Sequence, residues 1–211
     1  MQSDSDPSST GYPLRDVIRA LEMLAPPALA ASWDNTGLLL GNPEQPNVQR
    51  ALLTIDLTEA VLTEAITLGV DILIAYHPPL FNPIKRLVAG DRPGGMLLEL
   101  ASQNIALYSP HTALDNVPGG VNDWLANAFP QGSVSGLHPH ESVPDAFEGR
   151  LVTLRDPLPI EALANQLQRH LGLSGLRIAR ALGDSADRIA VCAGAGARVL
   201  ADADVDVLVT G

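Results

Sequence analysis

Three short apolar runs, ALLTIDL at 51–57, VDILIA at 70–75 and IALY at 105–108, are separated by amphipathic stretches, and this alternation constrains the fold more than any other feature. Runs of this length with no polar face suit strands buried on both sides. Between the first two, Val61, Leu62, Ala65, Ile66 and Leu68 share one face of a helix. Thr58 is placed to cap it, with Glu59 near its positive end. Met96, Leu97, Leu100 and Ala101 mark a second crossover helix. Strands and helices alternating at these lengths predict parallel pairing with right-handed crossovers. The expected fold class is therefore α/β, a layered and mostly parallel sheet flanked by helices.

The remaining segments attach to this pattern. Pro13 precedes a helix carrying Leu14, Val17, Ile18, Leu21, Leu24 and Ala25, which Pro26-Pro27 stops. SWDNTGLLLG, at 32–41, reads as a polar turn entering a short strand. Gly119-Gly120 opens a helix with Val121, Trp124, Leu125 and Ala128. Turn formers crowd 131–149, after which RLVTL at 150–154, a helix after Pro159 and LRIAR at 176–180 predict a small βαβ insertion. Arg188–Cys192 then resumes the core, followed by a helix and a strand over Val205–Val209. The expected organisation is a tail at 1–12, a core formed by 13–130 with 186–211, and an insertion at 131–185.

Charge and cysteine usage narrow the function. With 24 acidic against 13 basic residues the formal charge is −11, a field that repels a phosphate backbone and argues against broad nucleic-acid binding. A single nucleotide held beside a metal stays compatible, because the ion supplies local positive charge. The one cysteine, Cys192, permits no intrachain disulfide. MQSDSDPSSTGYP has neither the basic flank nor the apolar run of a signal peptide, and no apolar stretch approaches the ~18 residues of a membrane helix. A cytoplasmic protein away from membranes is expected.

In open α/β sheets, ligands gather beyond the carboxyl ends of the strands. That rule selects Asp56, then Tyr76-His77, then His111 to Asp115, a stretch expected to be a loop. Imidazole and carboxylate from neighbouring strand ends are natural donors to a divalent transition metal, and Pro78-Pro79 stiffens the backbone after His77. By spacing alone, His77 also reads as a hydrogen-bonded structural residue and Asp115 as a turn or cap. Asp56 reads as a turn or helix-cap residue rather than a ligand. His111 suits a ligand, an orienting group or a proton carrier. Gly194-Ala195-Gly196 reads as a tight strand-to-helix turn, His138-Pro139-His140-Glu141 as an exposed loop, Cys192 as a buried mid-strand residue and His170 as solvent-facing.

SWDNTGLLLG, DILIAYHPPLF, IALYSPHTALDNVPGGVNDWLA and RIAVCAGAGARVLADADVDVLVTG occur in the order seen in the Nif-three-like family, which this chain resembles over most of its length. Members are also known as type 2 GTP cyclohydrolase I homologues. The resemblance implies an α/β subunit of a homohexameric ring with one or two divalent metal ions per subunit, whether zinc, iron, manganese or magnesium. It implies a hydrolase-like activity on a nucleotide such as GTP, or a ring-forming scaffold in which the metal is structural and function lies in protein contacts. His77 and Asp115 match metal ligands, His111 matches a histidine close to the site, and Trp33-Asp34-Asn35 matches a motif lining the cleft. Tyr76 stands where many bacterial members have a first histidine, and the Tyr-His-Pro-Pro form is similar to that of eukaryotic relatives. The family strand ending in Thr-Gly continues into a Glu and a later His-x-x-x-Glu, so Thr210-Gly211 implies a truncated member.

Overall fold

The computed structural model describes residues 11–181 and 183–211 and divides into two compact units, one up to Ala113 and one over Leu114–Gly211. Most of the expected tail, residues 1–10, lies outside the described residues. Its last residue is held, since Tyr12 N–H donates to Val48 O at 3.0 Å.

The first unit contains helix α1 (Leu14–Leu24), strands β1 (Gly37–Leu40) and β2 (Ala51–Thr54), helix α2 (Glu59–Leu68), strand β3 (Ile72–Ala75), helix α3 (Gly94–Ser102) and strand β4 (Ala106–Ser109). Its sheet has the order β1-β4-β3-β2. The β2/β3 and β3/β4 pairs are parallel and only β1 runs against them, so this sheet is mostly parallel. Alternate side chains leave opposite faces of a strand. Ile72, Ala106 and Tyr108 therefore meet Leu14, Val17, Ile18 and Leu21 of α1. Leu73, Ala75 and Leu107 meet Leu62 and Ala65 of α2 with Leu97 and Leu100 of α3. Thr58 caps α2 as expected, its hydroxyl accepting from Val61 N–H at 3.2 Å. Gly69 ends that helix at φ 58°, a left-handed conformation that glycine adopts without a Cβ penalty.

Helix α4 (His111–Asn116) begins in the first unit and ends in the second. The second unit continues with α5 (Val121–Ala126), β5 (Gly132–Pro139), β6 (Phe147–Pro159), α6 (Ile160–Leu171), β7 (Ser185–Val191), α7 (Ala197–Leu200) and β8 (Val207–Val209). Its sheet runs β5-β6-β7-β8, with only β7/β8 parallel. One core contains Leu125, Phe129, Val152, Leu154, Leu163, Leu167, Ile189 and Val191.

The organisation expected beyond residue 130 is corrected. Residues 131–185 are no separate insertion, because Arg150–Thr153 pairs with Arg188–Val191 in a single sheet. The two strands expected to return to the first sheet thus lie in the second, β7 beside β6 and β8 beside β7. The β6–α6–β7 connection returns antiparallel rather than as a βαβ crossover, and 176–180 forms no strand. The stretch expected to be a loop at 111–115 is helical. Among the described residues no helix is long and apolar enough to cross a membrane.

Candidate functional site

The carboxyl ends of β2, β3 and β4 deliver the chemistry-bearing residues of the first unit. Pairing continues past the strands, with Tyr76 N–H donating to Thr54 O at 2.9 Å and His77 N–H to Ile55 O at 3.0 Å. This carries His77 alongside Asp56, and its Nδ1 lies 2.8 Å from Asp56 Oδ1. Asp56 is therefore no helix cap. Thr58 takes that role, and the Asp56 side chain is left to orient an imidazole. Ser109 Oγ donates to Tyr76 O at 2.8 Å, fastening the end of β3 to that of β4.

His111 follows β4 across Pro110. Its backbone sits at φ 32°, in the left-handed region that residues with a Cβ occupy only when their surroundings hold them there. The restraint comes from Asp34, whose side chain is fully buried. Asp34 Oδ1 lies 2.7 Å from His111 Nδ1 and Oδ2 accepts from Thr112 N–H at 3.1 Å. The Thr112 hydroxyl also donates to Oδ2 and accepts from Ala31 N–H at 3.0 Å. Burial pushes the Asp34 carboxyl up, but hydrogen bonds from His111, Thr112 and Asn35 N–H outweigh it and hold the group below its ordinary value. Asn35 donates through Nδ2 to Leu80 O at 2.5 Å, tying this turn to the loop after His77.

His111 is the hub of a ring of aromatic side chains. The centroid of His77 lies 5.6 Å away, Tyr76 5.8 Å, Trp33 6.1 Å and Phe81 6.3 Å, all edge-on. Trp33 and Phe81 are themselves 5.9 Å apart, and each is about half exposed, at 51% and 47%. The structure thus brings Asp34, Asn35, Asp56, Tyr76, His77 and His111 together. Asp115 lies one helical turn after His111 on α4 and is counted with the second unit. Among the described residues no group of three or more His, Cys, Asp or Glu side chains is arranged to hold a metal ion.

Sequence reasoning missed Thr112 and Phe81. Thr112 has no spacing signature, but an exposed phenylalanine next to Tyr-His-Pro-Pro is a usable signal in a chain with only 4% aromatic residues. The other histidines are structural. His138, on β5, donates through Nε2 to Val199 O at 2.7 Å, and buried His140 accepts two backbone N–H groups at Nδ1. The exposed loop expected there is thus a strand end and a tight turn. His170 is not free in solvent, since Nε2–H donates to Trp124 O at 2.8 Å. Gly194 at φ 64° makes the expected tight turn. Cys192 lies just past β7 and is buried, and burial, with the charges of Asp115 and Glu148, pushes its thiol up to about 11.

A three-layer α/β unit carrying two carboxylate-bonded histidines beyond its parallel strand ends defines a class of protein with a built polar site at the sheet's carboxyl edge. The family of Duf34/NIF3 (NGG1p interacting factor 3) matches residues 12–211. The chain is 34% identical over 207 residues to NIF3-like protein 1 of Drosophila melanogaster, covering 96% of this chain and 70% of that protein. It is 33% identical over 203 residues to a GTP cyclohydrolase 1 type 2 homolog of Clostridium perfringens, covering 94% and 76%. The crystal structure of a Bacillus cereus protein related to NIF3 shares the fold, with a TM-score of 0.79 at 22% identity over 97% of this chain and 83% of that one. The chain belongs to the Duf34/NIF3 family.

Proposed function

We propose that this chain is a cytoplasmic, divalent-metal-dependent, hydrolase-like enzyme acting on a nucleotide-like substrate. The observation that carries this reading is the pair of imidazoles of His77 and His111, with centroids 5.6 Å apart and each with Nδ1 bonded to a carboxylate. An ionised carboxylate only accepts, so the ring hydrogen sits on Nδ1 and the Nε2 lone pair remains as a donor. That donor chemistry fits a divalent transition ion, with His77 as the imidazole ligand and Asp115 as the carboxylate the family resemblance assigns. The chemistry such an ion supplies is activation of water toward hydroxide at neutral pH. His111 handles protons. Its Nε2 takes or returns one while the buried Asp34 carboxylate fixes the tautomer and faces the developing imidazolium. The name GTP cyclohydrolase 1 type 2 homolog, carried by relatives in Clostridium perfringens and Streptococcus pneumoniae, supports a purine nucleotide as the substrate class.

A second reading, a homohexameric scaffold with a structural metal, is favoured by one observation. Leu53 and Ile55, on and just past edge strand β2, are 73% and 60% exposed. Metal analysis and a nucleotide panel separate the two readings. Wild type should retain a divalent metal and consume a purine nucleotide, and His77→Ala should lose both properties. If His77→Ala loses the metal while the metal-loaded wild type consumes no nucleotide, the scaffold reading replaces the enzyme.

A further inference from the structure

The loop that leaves His77 encloses a cavity of about 530 Å³ lined by Pro79, Phe81, Lys85, Arg86, Asp91 and Arg92 among others. Lys85 is the only lysine in the chain. Its surroundings run against the character of a chain whose formal charge is −11 and in which cations are scarce. Here three cations face one lining carboxylate. Arg86 lies 3.4 Å from Asp91, and Arg92 is paired with Glu59 outside the lining. Lys85 has no carboxylate partner among the described residues. Helix α3 begins at Gly94 on the same wall, so the positive end of its dipole adds to the field.

The cavity adjoins the aromatic ring around His111 through one shared side chain. Phe81 lines the cavity and also has its centroid 6.3 Å from that of His111 and 5.9 Å from that of Trp33. A ligand with a flat ring at one end and an anion at the other matches this sequence of surfaces. Half-exposed Trp33 and Phe81 offer π-faces, and an ammonium binds phosphate oxygens as a compact point charge. An exposed lysine is ordinarily a solvated surface group. The concentration of cations in one cavity beside the histidines, within so acidic a chain, argues for more than solvation.

We propose that this cavity is an anion subsite that takes the phosphate end of the substrate, with Lys85 as its phosphate-binding residue. The assignment deepens the nucleotide reading above and rests on it for the identity of the ligand's other end. The test is calorimetric titration of the metal-loaded protein with inorganic pyrophosphate, GTP and guanosine, comparing wild type with Lys85→Gln and Lys85→Arg. Metal content and thermal midpoint are measured on each preparation. Pyrophosphate and GTP should bind wild type, weaken about tenfold or more in Lys85→Gln and recover most of that in Lys85→Arg. Guanosine affinity and metal content should stay unchanged. Equal pyrophosphate affinity in wild type and Lys85→Gln, or no pyrophosphate binding at all, overturns the subsite. Lys85-dependent pyrophosphate binding without turnover of any nucleotide supports the subsite and removes the enzyme reading. Turnover that survives Lys85→Gln with unchanged affinity removes only the subsite.

Discussion

Asp34 is the residue on which the His111 half of the site depends, and it carries a pH signature. Its carboxyl is buried yet held below its ordinary value by His111, Thr112 and Asn35. A carboxylate depressed in the folded state adds stability that is complete above the unfolded value of about 4 and is lost as the pH falls through the folded value. Asp34→Asn should therefore melt below wild type near neutral pH, and the gap should close as the pH drops below about 4. Thermal midpoints measured across the acid range check this, and parallel curves would refute it. Turnover in the same variant should fall by about a hundredfold or more if His111 moves protons in the rate-limiting step. At this scale the sequence displayed the histidines because each follows an apolar run into a proline-stiffened end. It did not display their partners. Asp56 stands just before a helix start, so its local position resembles a cap. Only the tertiary alignment of Ile55 with His77 turns its side chain toward the imidazole.

Among the elements, legibility follows the locality of pairing. The first sheet was readable because its apolar runs are separated by capped helices, and crossovers of that length leave few topologies. The second sheet was not, because its 13-residue β6 bends through a register shift between Thr153 and Leu158, so one strand reads as two pieces. Its anchor is also invisible in a linear pattern. Arg150 opens RLVTL as an ordinary polar flank, yet its side chain is only 7% exposed. It is held by Asp123 of α5 through two hydrogen bonds, Nε to Oδ1 at 2.6 Å and Nη2 to Oδ2 at 3.0 Å, with Phe147, Gly149 and Asn116 carbonyls completing the fork. Removing one partner of such a pair strands a buried charge, which costs about 3–5 kcal/mol. Asp123→Ala should lose that much in urea unfolding. A loss below about 1 kcal/mol would mean that the pair behaves like an exposed bridge.

At the scale of the whole molecule, the first sheet leaves an apolar surface bare at Leu53 and Ile55. Register pairs Leu53 of β2 with Ile74 of β3, so Leu53 shares the face that packs under α1. Helix α1 covers Ile72 and Ile74 but leaves Leu53 exposed, together with Ile55 beyond the strand end. The strand is also an edge, and an uncovered apolar edge is a template for pairing with another chain. A formal charge of −11 opposes self-association, and apolar contact of this kind is what would offset it. We propose that a second copy of this chain occupies the face, in the homohexamer implied by the family resemblance. Light scattering on the wild type should then give a mass several times that of one chain, growing more stable as added salt screens the acidic surface. Leu53→Asp with Ile55→Asp should lower that mass while leaving the circular dichroism of the fold in place, since both side chains lie in solvent in the single subunit. A wild type that stays monomeric at micromolar concentration would reject self-assembly altogether. An undiminished mass in the double variant would move the interface to some other surface.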